Sequence, residues 1–300
     1  MPDVALVTGG GGFAGRHLVG RLRAGGGEVV APAHAELDLL DPARARAAVA
    51  DAQPARVFHL AALASVGRSW EDPRRTIAEN VEMTLNLLEA VREEAGDARV
   101  LVASSGEVYG PPAELPVTEA AALRPQNPYA LSKAATDLLA ALYAETRGLR
   151  VVRTRAFNHA GPGQSDTYVV GTLTRQVAEA EVAGQGEATL HTGNPGSARD
   201  FTDVRDVVAA YELAIDLAPG AYNVASERAI AVSELIEVVR AHTQLDVRHL
   251  VDDERVRSHD VPEVRGSAAK LREATGWRPQ IALEQTISDA LAHWRRSLTQ

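Results

Sequence analysis

The chain has 300 residues, 40 Asp and Glu against 31 Lys and Arg, a formal net charge of −9 and no cysteine. That length suits one large domain, or a nucleotide-binding domain with a smaller lobe, and the missing cysteine excludes a disulfide scaffold, a thiolate metal cluster and a cysteine nucleophile. An acidic chain without a block of like charge argues against nucleic acid or an anionic membrane as main partner, and no apolar stretch approaches roughly 18 residues, so it reads as an unexported, cytoplasmic protein.

Val4 to Val7 form a short apolar strand, followed by a glycine cluster and by Arg16 to Arg23, where Leu18, Val19 and Leu22 recur at helical spacing. Glu28 to Ala31 reads as the second strand, Arg44 to Ala50 as a helix and Arg56 to Ala61 as the third strand. Thr76 to Glu94 carries Val81, Leu85, Leu88 and Val91 on one helical stripe. Val100 to Ala103 returns to a buried strand, Pro128 to Thr146 is helical and Arg150 to Arg153 extended.

Continuous apolar strands alternating with amphipathic helices about every 30 residues predict an α/β fold, a doubly wound parallel sheet covered on both faces. Past residue 160 the pattern loosens into loops, helices and short strands around Gly161-Pro162-Gly163 and Gly193 to Gly196, and Asp203 to Leu217 reads as a helix. The expected division is a Rossmann domain over 1–160 and a mainly substrate-binding lobe over 161–300, with a stretch near 200–225 returning to the first.

Gly10-x-Gly12-x-x-Gly15, which also reads as Thr8-Gly9-x-x-Gly12-x-x-Gly15, lies where the first strand meets the first helix. Glycine there permits a tight turn and lets a pyrophosphate reach backbone N–H groups at the positive end of the helix dipole, so Gly9, Gly12, Phe13, Ala14 and Gly15 are expected to hold a nicotinamide dinucleotide. A carboxylate about 20 residues on, at the end of strand two, would bind the adenosine ribose and select NAD. That strand ends Ala31-Pro32-Ala33-His34 with no acid, so NADP is allowed beside NAD, with His34 or Arg16 to meet a 2′-phosphate. Asp38 and Leu39 fall where adenine is gripped, although Asp38 reads equally as a turn or capping residue.

The second constellation is Ser104-Ser105-Gly106-Glu107-Val108-Tyr109-Gly110, with Tyr129 and Lys133 following on a helix. Tyrosine and lysine at i and i+4 share one helix face. An ammonium beside the phenol would lower its pKa and let it exchange a proton with a carbinol or carbonyl, while Ser105 hydrogen-bonds the same oxygen. No metal site is expected.

Taken in order, the glycine turn, His59-Leu60-Ala61-Ala62, Ser-Ser-x-x-Val-Tyr-Gly, Tyr129-x-x-x-Lys133 and Arg199-Asp200-Phe201 resemble the extended short-chain dehydrogenase/reductases acting on nucleotide sugars. The resemblance covers nearly the whole chain and implies Ser105, Tyr129 and Lys133 as catalytic triad, with Leu60, Ala61 and Ala62 lining the cofactor. Ala156-Phe157-Asn158-His159-x-Gly161-Pro162-Gly163-Gln164 and Arg257-x-x-Asp260-Val261-Pro262-x-x-Arg265-Gly266 are similar to the GDP-sugar branch, the GDP-mannose 4,6-dehydratases and the reductases of their 4-keto-6-deoxy product. That likeness implies Phe157 and His159 at the cofactor, Asn158 and Arg199 on the diphosphate, and Arg257 and Asp260 framing the nucleoside ribose. From the residues alone, Asn158 could cap a turn, His159 could be a satisfied loop histidine and Arg257 a surface residue.

Three reactions share the triad. A 4,6-dehydratase needs an acid/base pair, and Glu107 could supply the base, but Gly106-Glu107 stands where the dTDP-glucose type carries Asp-Glu. Ser-Ser-Gly-acid-Val-Tyr-Gly fits the keto-sugar reductases better. Reduction of GDP-4-keto-6-deoxy-mannose to GDP-rhamnose with NAD(P)H therefore ranks first, and 4,6-dehydration or 4-epimerisation with tightly bound NAD second. A non-catalytic nucleotide-binding module has no use for Ser105, Tyr129 and Lys133 together. A homodimer is expected through Leu85, Leu88, Leu138, Leu139 and Leu142 on two helices, unless all five face the sheet.

Overall fold

The computed structural model describes residues 3–253 and 261–299. Arg257 and Asp260 lie outside the described residues. Six strands, β1 (Ala5–Thr8), β2 (Val29–Val30), β3 (Arg56–His59), β4 (Arg99–Ser105), β5 (Arg150–Ala156) and β9 (Gly220–Val224), form one parallel sheet in the order β2-β1-β3-β4-β5-β9. The chain leaves β1 toward β2 and then crosses to β3 on the other side. That reversal opens a crevice at the carboxyl ends of β1 and β3, where ligands of such sheets bind.

Alternation along the strands divides the core in two. Ala5, Val7, Phe58, Leu101 and Val152 pack against α1 (Phe13–Ala24) and α6 (Val204–Ala214), while Leu6, Val57, Val100, Val102 and Val151 pack against α2 (Pro42–Ala52), α3 (Pro73–Glu94) and α4 (Pro128–Arg147). Pro at the first position and a capping Asp or Asn start three of these helices, with Asp41, Asp72 and Asn127 accepting first-turn N–H groups.

Beyond residue 157, β6 (Asn158–Ala160), β8 (Ala198–Asp203), β10 (Ala229–Ala231) and β12 (Glu263–Val264) form a mixed sheet, and β7 (Glu187–Thr192) pairs with β11 (Asp246–Val251). A third apolar cluster lies among α5 (Val169–Val182), α7 (Val232–Arg240) and α9 (Leu283–Leu298). The helix α8 (Ala269–Thr275) places Leu271 in the core of the main sheet, together with Ala268 and Trp277. No helix of the described residues is long and apolar enough to cross a membrane.

Several element ends differ from the sequence expectation. The first helix begins at Phe13 rather than Arg16, because the glycine turn passes straight into it. The strands β4 and β5 run on through Ser105 and Ala156, since their polar ends Ser104 and Arg155 still pair with each other. Polar residues closed the apolar runs without closing the ladder.

Candidate active site

The crevice is built first from glycine. Gly9 follows β1 with φ of +72°, and a Cβ there would stand 2.6 Å from the Ala61 backbone nitrogen. A Cβ on Gly15 would stand 2.1 Å from Gly9 O. Turn, helix and β3 loop close on one another only without these side chains. No side chain caps α1 at Gly12, so the first-turn N–H groups of Phe13 and Ala14 are open to an anion at the positive end of the helix.

Gly9, Gly11 and Gly12 form one wall of a cleft of about 260 Å³, and Pro32, Ala33 and His34 form the other. Its floor is apolar, from Leu37, Leu39, Ala61 and Met83. Phosphate donors beside an apolar slot fit the adenosine diphosphate half of a dinucleotide. Leu60, whose N–H donates to Thr8 O, and Ala62 flank Ala61 on the loop after β3. Asp38 spends Oδ1 on the Leu40 N–H at 3.0 Å, a turn role.

Of the two side chains expected near a 2′-phosphate, His34 lines this cleft, while Arg16 donates to Gly163 O at 3.3 Å. Ala31 to His34 carry no acid, and Glu36, just beyond, accepts the Ala33 N–H at 2.8 Å without lining the cleft.

The reacting end lies at the carboxyl end of β4. Ser105 caps a 3₁₀ turn over Gly106–Tyr109, its Oγ accepting the Glu107 N–H at 3.2 Å. Asn127 accepts the Ala130 N–H and donates to Glu107 Oε2 at 3.3 Å, which ties that carboxylate to the first turn of the helix bearing Tyr129. Burial pushes the Tyr129 phenol above its ordinary range, and the group opposing this is the Ser105 hydroxyl, hydrogen-bonded to it; the Glu107 charge adds to the rise.

Lys133, one turn on, donates from Nζ to Ala103 O at 2.7 Å, and burial lowers its pKa to about 8. The ammonium is held at a strand carbonyl, and the Ser105 hydroxyl is the group that opposes the effect of burial on the phenol.

Because burial penalises the charged form, Lys133 is an ammonium below about pH 8 and loses its proton above it. Turnover is therefore expected to be level below that pH and to fall above it, and Lys133→Met should abolish this inflection along with most of the rate. A kcat–pH profile from 6 to 10 in both proteins checks this; a wild-type profile level to pH 10 would remove the ammonium from the reaction.

His59, at the end of β3, bridges Thr8 at 2.8 Å and Thr84 at 3.0 Å. The Thr84 hydroxyl donates to Asn80 O, so it must accept the His59 Nε2–H, and Nδ1 accepts from Thr8. Burial, then the Lys133 charge, lowers His59 to about 3. It is a neutral strut joining β1, β3 and α3.

Phe157 follows β5, but its ring is packing rather than cleft surface. A Cβ on Gly106 or Gly266 would stand 3.1 or 2.3 Å from it, and it stacks on Tyr109 at 6.2 Å. Its backbone N–H donates to Val224 O at 2.9 Å. His159 stacks parallel on Phe13 at 5.9 Å, beside the phosphate end, and burial keeps it neutral.

Asn158 is exposed on β6 opposite Phe201 of β8. Arg199 lies two residues before Phe201, so the two diphosphate candidates share one sheet face. Arg199 also donates to Val261 O at 2.8 Å, next to the segment that contains Arg257 and Asp260.

Three positioning residues had no role assigned in the sequence reading. Asn80 accepts the Leu63 N–H at 2.7 Å and donates to Ser132 Oγ at 2.8 Å, fixing the loop after β3 to α4. Its signal was the row Thr76, Asn80, Thr84, all buried at four-residue spacing beside the apolar stripe. Asp200, fully buried, accepts from Ser226, Glu227 and Gly266 N–H groups and the Ser226 hydroxyl. Tyr168 reaches from the start of α5 to donate to Ala64 O at 3.2 Å. No group of three His, Cys, Asp or Glu side chains that could hold a metal occurs among the described residues.

A profile of the family described as GDP-mannose 4,6 dehydratase matches residues 6–290. The chain is 38% identical to GDP-6-deoxy-D-mannose reductase of Pseudomonas aeruginosa, over 98% of both chains. It is 32% identical to UDP-glucose 4-epimerase of Mycolicibacterium smegmatis, over 97% of this chain and 98% of that one. Among solved structures, RMD from Pseudomonas aeruginosa complexed with NADPH superposes with a TM-score of 0.89 at 35% identity, covering 98% of this chain and 99% of that one. UDP-glucose 4-epimerase of Thermus thermophilus in complex with NAD gives 0.85 at 31%, covering 97% and 99%.

Proposed function

The chain belongs to the GDP-mannose 4,6-dehydratase family of extended short-chain dehydrogenase/reductases, NAD(P)-dependent enzymes that modify nucleotide sugars, and from that membership we propose that it reduces the 4-keto group of GDP-4-keto-6-deoxy-mannose to give GDP-rhamnose. The observation that carries this reading over dehydration or epimerisation is the likeness, across 98% of both chains, to the Pseudomonas aeruginosa GDP-6-deoxy-D-mannose reductase.

The chemistry of the site agrees with it. A bound NAD(P)H supplies hydride to C4. Reduction needs the phenol protonated at the outset, and burial of Tyr129 holds it so. Its O–H donates to the developing alkoxide, Ser105 Oγ hydrogen-bonds the same oxygen, and the Lys133 ammonium below pH 8 offsets the charge left on the phenolate. Glu107, steadied by Asn127, accepts from a sugar hydroxyl. Asn158 and Arg199 hold the diphosphate, and Arg257 and Asp260 frame the ribose of a guanine nucleoside.

Incubation with GDP-4-keto-6-deoxy-mannose and reduced dinucleotide is expected to consume the dinucleotide stoichiometrically and yield GDP-rhamnose by chromatography. Water loss from GDP-mannose, or interconversion of UDP-glucose and UDP-galactose, with no net change in dinucleotide would replace the reductase reading by a dehydratase or epimerase.

The enzyme acts as a homodimer in this reading. Leu85, Leu131, Leu138 and Leu142 are exposed on α3 and α4. Leu88 is fully buried and Leu139 packs inward, which removes both from the expected face. Sedimentation at micromolar concentration should give a dimer, and Leu138→Lys with Leu142→Lys a monomer; a monomeric parent protein would refute the assembly.

A further inference from the structure

We propose that Trp70 docks on a second copy of this chain, and that the partner thereby braces the active-site wall running from Leu60 to Trp70. The inference rests on the homodimer reading above. It adds an anchor to the shared face and gives that face a part in sugar binding.

Trp70 is 64% exposed, the most open of the large apolar side chains among the described residues. It ends a 3₁₀ turn, Arg68–Trp70, that packs against both α3 and α4 and is steadied by the Ser69 hydroxyl, which donates to Val66 O at 2.6 Å. On α4 the exposed Leu131, Leu138 and Leu142 recur at i, i+7 and i+11, the seam spacing of a helix that packs on another helix, and Leu85 widens the row onto α3. Asn80 bonds Ser132, so the start of α4, with Leu131, lies beside the early turns of α3, at the end where the turn carrying Trp70 leads in. The apolar row thus continues to the indole. Such a face is its own complement across a two-fold axis, which makes a second copy the partner it fits. An indole gives more contact area than any leucine beside it and is the kind of side chain that anchors an interface.

The same turn is the far end of a wall of the site. Ala61 lines the glycine cleft. Asn80 holds Leu63 by both backbone groups, accepting its N–H at 2.7 Å and donating to its carbonyl at 3.2 Å. Ala64 O accepts the hydroxyl of Tyr168, a residue of the second lobe close enough to Tyr129 to act on its phenol. Ser65 O accepts the Ser69 N–H at 3.0 Å, and Ser65 Oγ the Arg68 N–H at 3.3 Å, so Ala64 is coupled to the turn by hydrogen bonds. Trp70 therefore acts on the Ala64–Tyr168 contact, on the sugar side. The Asn80 anchor at Leu63 insulates Ala61, and with it the dinucleotide cleft.

Two full-length variants test this. Trp70→Ala removes the indole, and Leu138→Lys with Leu142→Lys removes the partner while leaving Trp70 in place; thermal melting checks that both fold. Each is expected to weaken the dimer at least tenfold in sedimentation and to raise KM for GDP-4-keto-6-deoxy-mannose roughly fivefold, with kcat and the dinucleotide Kd within about twofold of wild type. The Trp70 emission, taken as the difference between wild type and Trp70→Phe, should be that of a buried indole in the wild type and shift to the red in the double lysine variant.

A wild-type dimer in which Trp70 emits as a solvent-exposed indole, or a Trp70→Ala protein whose KM stays within about twofold of wild type, overturns the proposal and leaves the homodimer standing. A monomeric wild type overturns both. Absence of turnover in the wild type overturns the reductase reading, and the emission then decides this proposal.

Discussion

Tyr129→Phe is expected to lower turnover of the 4-keto sugar nucleotide by roughly 10² or more while dinucleotide binding is retained. The substitution keeps the ring and removes the one proton the site holds in readiness. Ser105 loses its hydroxyl partner in the same step, yet its other bond, from the Glu107 N–H, belongs to the 3₁₀ turn and survives. The loss should therefore fall on kcat rather than on KM. Steady-state kinetics beside a dinucleotide titration separate the two, and near-normal kcat in the variant would move the donor role elsewhere. His159 and Glu107 are then the next groups to replace, His159 with Nδ1 toward Phe157 O and Glu107 beside Asn127.

The parts of this site that the sequence made legible are those in which backbone geometry dictates residue type. Gly9 and Gly15 are demanded by contacts of 2.6 and 2.1 Å that any side chain would violate, and such a demand shows as a glycine motif between an apolar strand and a helix. The spacing of Tyr129 and Lys133 likewise fixes a shared helix face. It does not fix where a long side chain ends, and the Lys133 ammonium goes to Ala103 O because the end of β4 presents a buried carbonyl that needs a donor.

Phe157 shows the same limit. Its motif sets its place in the chain, but the direction of its ring is set by Gly106 and by Gly266, far along the sequence, which together leave the slot it fills. The first five strands of the main sheet were legible from apolar runs, whereas the polar ends of β4 and β5 were read as lying past their strands.

The largest loss of stability is expected from Asp137→Ala. Asp137 lies on α4 two turns beyond Tyr129 and is fully buried, with Arg155 Nε and Nη2 donating to its two oxygens at 2.9 Å each and Arg153 Nη1 adding a third contact at 3.3 Å. Arg155 Nη1 continues to the Tyr109 hydroxyl at 3.0 Å, which donates to Asn223 Oδ1 at 2.7 Å on β9. Removing the carboxylate strands a buried guanidinium without its counter-charge, a change that typically costs about 3–5 kcal/mol, whereas the intact pair is worth much less than that relative to apolar residues of similar volume.

Asp137→Leu combined with Arg155→Met should therefore recover a good part of what Asp137→Ala loses, and Asp137→Asn, which preserves the shape, should lose less. Urea unfolding of the three proteins measures this. A loss below about 1 kcal/mol in Asp137→Ala would mean that water reaches Arg155 and that the network is not closed. The consequence for catalysis follows from the far end of the network. Tyr109 closes the turn that begins at Ser105 and contains Glu107, so the double variant, even where it is stable, leaves the Tyr109 hydroxyl without the Arg155 donor and should show a lowered kcat with Tyr129 and Lys133 both intact.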